Sequence, residues 1–470
     1  MVDRTGYMGP ALRYGLPTAA LLILLMLGAC AGVSPEAAFD EVEAELEARG
    51  IRHVHWYTGT EEDEEVAETV RQLLDKELTA DIAVQVTLLN NRRLQSIYAS
   101  LGVAQADLVQ AGLLGNPILN AEMLFPLNGG SAELELGLAQ SFLEIFYIPL
   151  RRNVAGSLLE ETKLTVAGSV LDFEHQARTR FHAVQAAFQT AEMFRHFELA
   201  ADLRHDLARR LRGAGNITEL EFHEHRAHLE QARVHLLRAK ADHFASRERL
   251  NRTMGLFGED VDWELSGGLP EIPEDVVDVT DIENRAVNTS LDLAIARQRI
   301  ITAGRLLGLD ERTALFPTMT LGTEAEREDG DWAVGPTLSL PIPFLDRGQA
   351  RIARTRSELR RQQDEYRALA VEIRSMARVA RTDIEEARQI AEHYREVILP
   401  LRRRITGEAQ LQYHAMDIGI FDLLSARERQ IEAEGRYVES LHRYWTSRAV
   451  LDQLMRGRAP SADGNFSGDD

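Results

Sequence analysis

The chain has 470 residues, with 53 Lys+Arg against 74 Asp+Glu for a net charge of −21, a single Cys and 6% aromatic residues. Its 44% apolar and 27% charged content belongs to an ordered protein, and the acidity excludes nucleic acid as the main partner, because phosphate binding needs a basic face. One cysteine excludes a disulfide scaffold or a Cys-based zinc cluster. Dinucleotide, P-loop, His-Glu-x-x-His and Gly-x-Ser-x-Gly signatures are missing, so neither an enzyme nor a cofactor is expected.

In chain order, Arg4 and Arg13 precede the nine apolar residues Ala19 to Leu27, followed by Gly28-Ala29-Cys30. Such a core is too short for a membrane-spanning helix and reads as a secretory signal, residues 1–29. Leu27-Gly28-Ala29-Cys30 resembles a bacterial lipobox, which makes Cys30 the lipidation site and first mature residue. Ala31 after it favours the outer membrane by the usual sorting pattern. An ordinary signal peptide with an accidental cysteine is the other reading. Residues 30–83 are then an N-terminal periplasmic segment.

From there the chain reads twice. Pro117-Ile118-Leu119-Asn120 answers Pro317-Thr318-Met319-Thr320, Leu136 to Glu144 answers Leu338 to Asp346, and Gly215 to Phe222 answers Met416 to Leu423. The first repeat spans 84–258, with strands near 117–127 and 131–143 and a helical hairpin turning near 213–218. An acidic linker, 259–281, leads to the second repeat, 282–456, with strands near 317–327 and 331–343 and a hairpin turning near 413–419. Residues 457–470 are expected to be a disordered tail.

Residues 150–212 and 347–412 hold no proline before Pro400 and are rich in Ala, Leu, Glu and Arg, all strong helix formers. At 1.5 Å per residue each segment extends on the order of 95 Å. The returning helices carry period-3.5 seams, Leu229, Ala232, Leu236, Ala239, His243, Ser246 and Leu250 in one, Gln430, Ala433, Tyr437, Ser440 and Tyr444 in the other, which predicts coiled-coil packing.

In the strands, Leu134, Leu136 and Leu138 alternate with Glu133, Glu135 and Gly137, and Trp332, Val334, Pro336, Leu338 and Leu340 alternate with small residues. Asn128-Gly129-Gly130 and Glu328 to Asp331 are the expected hairpin tips, with Phe125 and Trp332 beside them as an interfacial girdle. Strands of about 10 to 12 residues cross a bilayer when tilted. Four strands cannot close a barrel, and an open edge in lipid leaves backbone groups unpaired. Copies must therefore share one barrel: two give a solid eight-stranded one, three a twelve-stranded one with a lumen.

These residues, above all Leu338-Ser339-Leu340-Pro341-Ile342-Pro343-Phe344-Leu345-Asp346-Arg347-Gly348 and the turns around Gly215 and Tyr413, resemble the TolC-type outer-membrane efflux family, in its lipoprotein branch serving RND-type pumps. The resemblance covers about residues 84–456. It implies a mainly α fold with a β-barrel part: a homotrimer with a 12-stranded barrel in outer-membrane lipid and a long helical coiled-coil tunnel in the periplasm. The trimer would be the exit duct of a tripartite efflux system, with a periplasmic adaptor (membrane fusion protein) and an inner-membrane RND-type transporter as partners. Carried over from the family, Tyr413, Glu221 and Asp422 form the periplasmic gate, and the tip turns Gly215, Asn216, Ile217, Met416, Ile418 and Gly419 meet the adaptor. Ile418 and Ser425 depart from the family's tip arginine and second aspartate, which implies a weaker lock and a single acidic ring. For Glu221 and Asp422 the plainer alternative is an acid at a helix start, stabilised by the dipole.

His223, His225 and His228 are metal candidates by composition. On a helix His223 points roughly 200° away from the face shared by the other two, and a solvated face explains them equally. Two other functions stay open: the outer channel of a type I protein-secretion system, and a lipid-anchored periplasmic coiled-coil scaffold without a pore.

Overall fold

The computed structural model describes residues 36–460 apart from 126, 128–131, 276, 317 and 329–330. The expected signal peptide, Cys30, residues 461–470 of the expected tail, the first strand-hairpin tip and half of the second lie outside the described residues.

Among the described residues four helices open the first half: α1 (Glu36–Ala48), α2 (Glu61–Leu74), α3 (Ala80–Asn90) and α4 (Arg92–Ala111). Strands β1 (Ile118–Leu124) and β2 (Glu133–Ser141) follow, then the hairpin of α5 (Glu144–Gly213) and α6 (Glu219–Met254). The second half repeats the order with α7 (Ile282–Thr289), α8 (Leu291–Thr313), β3 (Thr320–Glu328), β4 (Asp331–Ser339), α9 (Gln349–His393), α10 (Leu399–His414) and α11 (Ile420–Met455). The repeat extends to the caps. Asn91 accepts hydrogen bonds from the backbone of Arg93 and Leu94 at the start of α4, and Ser290 accepts one from Leu293 at the start of α8.

The long helices differ from expectation in one place. α5 runs unbroken for 70 residues, roughly 105 Å. Its counterpart is interrupted by a π-helical turn, Tyr394–Ile398, between α9 and α10. Pro400 has no N–H to donate four residues back, and a wider turn relieves the clash of its ring. The strands are also shorter than the 10 to 12 residues expected: β1 has seven and the others nine each. Pro341 and Pro343, which cannot donate to a ladder, fall beyond the end of β4.

All four strands form one antiparallel sheet in sequence order. The halves join at β2 and β3, in register from Leu134 opposite Arg327 to Ser141 opposite Thr320. Among the described residues, β1 and β4 each have one unpaired edge.

Below the sheet the helices form a layer, with α6 and α11 on either side of α5 and with α9 and α10 beyond α11. Seam residues Leu229, Ala232, Ala239, Ser246 and Leu250 of α6, and Gln430, Ala433, Ser440 and Tyr444 of α11, are buried. The expected linker is a strap held across this layer. Trp263 donates from its indole N–H to Asn251 of α6 at 2.7 Å, under the guanidinium of Arg247. Gln185 of α5 donates to the Gly268 carbonyl at 2.8 Å, and Trp445 of α11 to that of Pro270 at 2.8 Å. Arg388 of α9 reaches the carbonyls of Glu274 and Asp275. Leu269 and Ile272 of the strap are buried in the core that α9 and α11 share.

Residues 457–460, at the head of the expected tail, are ordered into this body. Arg458 donates to Asp172 of α5 at 2.7 and 2.9 Å and to Asp292 of α8, so one guanidinium ties the two halves together.

Candidate functional site

At the first tip the chain leaves α5 through Gly215, whose φ of +75° suits glycine. The Gly215 N–H donates to the Arg212 carbonyl and the Asn216 N–H to that of Leu211, both at 2.9 Å, a double closure that satisfies the last carbonyls of the helix. Thr218 caps α6: its hydroxyl accepts from the Glu221 N–H at 3.2 Å, and the Glu221 carboxylate accepts from the Thr218 N–H at 2.7 Å and hydroxyl at 2.9 Å. This reciprocal pair is a capping box. First the Thr218 amide and then its hydroxyl hold the Glu221 carboxyl below its ordinary value.

The second tip repeats the backbone with different residues. Met416 occupies the left-handed position at φ +63°, and the Met416 and Asp417 N–H groups donate to the carbonyls of Tyr413 and Gln412. Gly419 caps α11 without a side chain, and Asp422 accepts from the Gly419 N–H at 3.1 Å. Glu221 and Asp422 thus hold equivalent third positions of their helices, each used by its own cap. Tyr413 lies on the outside of its turn with its ring 5.9 Å from His414. Among the described residues, the hydrogen bonds of Glu221 and Asp422 run to their own caps and the Tyr413 ring neighbours His414. Gly215, Asn216, Met416 and Gly419 are exposed, and Ile217 and Ile418 half-buried, at the same end of the layer.

The hairpins meet above the tips, through residues that spacing alone did not single out. Glu428 of α11, 8% exposed, accepts from Arg204 of α5 at 2.9 Å and faces His228 Nε2 of α6 at 3.1 Å. One turn nearer the tip, the His225 ring stacks on Phe421 with centroids 4.3 Å apart, and the Arg204 guanidinium lies 5.6 Å from the same ring. Burial and then the Arg204 charge push the His225 imidazole below its ordinary value. His223 points instead to Glu219, 3.8 Å away. The three histidines therefore serve three different neighbours rather than one site.

At the other end of the molecule the sheet has two chemically distinct faces, set by the register. Leu119, Leu138 and Thr323 stand abreast on one, as do Ala121, Leu136 and Ala325, and Met123, Leu134 and Arg327. Trp332, Val334 and Leu338 of β4 complete it, and Arg327 lies 6.0 Å from the Trp332 ring at the hairpin end. The opposite face places Glu122, Glu135 and Glu326 side by side, with Glu133, Glu324 and Asp331 on the same side. Like charges directly opposite destabilise a sheet, so this face is built for water and counter-ions. The alternation in β2 and β4 announced the apolar face; the acidic row needed the β2–β3 register.

Neither the models of known protein families nor the curated proteins contain a match to this chain. Solved structures do match. The outer-membrane channel OprN shares 16% identity over 88% of this chain and 95% of its own, with a TM-score of 0.66. For the Campylobacter jejuni CmeC outer membrane channel the values are 16%, 82%, 87% and 0.65. For the open state of the Neisseria gonorrhoeae MtrE outer membrane channel they are 15%, 83%, 89% and 0.64. This chain therefore shares the fold of these outer-membrane channels.

Proposed function

We propose that three copies of this chain form an outer-membrane channel, the passive exit duct of a tripartite efflux system. The sheet carries this reading: apolar on one face and acidic on the other, with an unpaired edge at each end. Lipid tolerates no such edge, and joining β4 of one copy to β1 of the next closes a twelve-stranded barrel. The leucine face then meets lipid, with Trp332 and Arg327 at headgroup level, and the carboxylates line the water. A pore-free scaffold has no use for this pattern. The solved structures similar to this chain are outer-membrane channels, which favours a cell-outer-membrane location with helices extending into the periplasm.

In this reading the exposed tips face the adaptor and, through it, the RND-type pump. Asp422 and Tyr413 stand where three copies converge, and Glu221 supports its own tip. Cys30 carries the lipid anchor. No step of this function requires a catalytic group.

Planar-bilayer recording of the purified trimer tests the proposal. Stable conductance with cations preferred over anions is expected, because six carboxylates per chain face the barrel interior and attract cations. Glu122→Gln, Glu135→Gln and Glu326→Gln together should lower that preference. A trimer that conducts nothing, or a folded monomer as the only species in detergent, would refute the channel.

A further inference from the structure

The middle of the strap is gripped by side chains of α5 and α11, and one buried histidine lies behind both grips. His182 of α5, 5% exposed, stacks on the Trp445 ring of α11 with centroids 5.3 Å apart, and its Nδ1 lies 3.1 Å from Gln185 Oε1. Trp445 and Gln185 donate to the carbonyls of Pro270 and Gly268, and one turn on, Gln189 accepts from the Leu269 N–H at 3.0 Å. The Gln185 amide nitrogen is committed to the strap, so its oxygen faces the ring and Nδ1 of the neutral imidazole donates, leaving Nε2 to take up a proton. An asparagine or glutamine also donates to an amide oxygen; histidine adds a charge that changes between about pH 5 and 8.

A second imidazole belongs to the same seam. His442 of α11 stands three residues before Trp445, and burial holds it below its ordinary value against the pull of Glu439. Asp242 and Arg249 of α6, one of each sign, line the groove that His442 borders. Around His182 the charges are Arg178, one turn earlier on α5, then His442, and Asp81 of α3. Asp81 is exposed and already paired with Arg178 at 3.1 Å, and Glu174 pairs with the same guanidinium at 3.0 Å. The strap residues held here, Ser266 to Pro270, carry no charge. Burial first, helped by Arg178 and His442, pushes the His182 imidazole below its ordinary value, although Gln185 and Asp81 favour the charged ring, as does the Trp445 face. A charge on this ring regains water only when the side chains that cover it move, and those are the side chains that grip the strap.

We propose that His182, with His442 beside it, is an acid-released fastener of the strap. Neutral, it lets Gln185 and Trp445 hold residues 266–270 against α5 and α11. Protonated, it drives that stretch off the seam, while the contacts of Trp263 and Arg388 keep the strap's two ends in place. In acid the two hairpins thus lose a brace that crosses from one to the other. All these groups belong to one chain, so the device is independent of the channel reading.

Hydrogen exchange of the full-length protein in lipid nanodiscs, corrected for the intrinsic effect of pH, tests this at residues 266–269. His182 is lowered in the folded state, so its contribution is complete above the ordinary histidine value and is lost as pH falls below it. Protection of the Leu269 N–H should therefore fall at least about threefold between about pH 8 and about pH 5, while residues 94–101 of α4 keep theirs. His182→Gln should keep the protection seen at the higher pH and abolish the fall. If that variant does not assemble, His442→Gln serves, and should make the fall smaller. A wild-type strap whose protection is constant over this range, a fall that persists undiminished in either variant, or an equal loosening of α4 overturns the fastener.

Discussion

The two helical hairpins share a backbone but not the means of holding it. Both tips use the same pair of closing hydrogen bonds, and both returning helices carry an acid at the third position. The first hairpin does this with Gly215 in the left-handed position, Thr218 as cap and an uninterrupted α5. The second does it with Met416 in that position, Gly419 as cap and a π-turn higher in its outer helix. A left-handed non-glycine residue costs about 1–2 kcal/mol, and a cap without a side chain leaves an amide to water. Repetition has preserved geometry here while letting stability diverge, and the second tip is the more easily deformed.

The largest expected effect removes what forces the hairpins to move together. Arg204→Ala leaves Glu428 buried with only His228 as partner, at a cost of about 3 kcal/mol. Spin labels at positions 217 and 418 should then report a broader distance distribution, and an unchanged one would show that the latch does not couple the tips.

Exchanging the left-handed residues should invert the comparison. Gly215→Met should destabilise the first tip by about 1 kcal/mol and Met416→Gly should stabilise the second by a similar amount. Hydrogen-exchange protection at residues 216–222 and 417–423 reads both, and equal shifts of one sign would contradict the argument. Thr218→Ala should cost the first tip about 1 kcal/mol, whereas Gly419→Ser should add only a few tenths (~0.3 kcal/mol) to the second.

The smallest effect is on pH. Glu221 has a folded-state value below the ordinary glutamate value, so its contribution is complete above that ordinary value and is lost as pH falls through the lowered one. His225, also lowered, acts in the same direction, its contribution being complete above the ordinary histidine value and lost as pH falls below it. Acid should therefore loosen the first tip and its stacking on Phe421, seen as falling protection at Thr218 and Glu221 in pH-corrected exchange. Protection that rises on acidification would reverse the assignment.

Period and repetition were enough to read the long helices, the strand pairs and the tip turns from the residues, because a 3.5-residue seam or a two-residue alternation is local information. The same information placed Glu221 and Asp422 at helix starts, where both act as caps. It could not place the contact between the hairpins: Arg204 and Glu428 lie 224 positions apart and meet only when α5 packs on α11. Nor could it align Glu122, Glu135 and Glu326, since a one-residue slip between β2 and β3 would send the third to the opposite face. The strap was legible as acidic and proline-containing but not as bound, because its partners Gln185, Trp445 and Arg388 sit on three different helices. Local periodicity thus determined the elements, while the latch, the acidic row and the bound strap exist only where distant segments pack, which no single stretch of residues encodes.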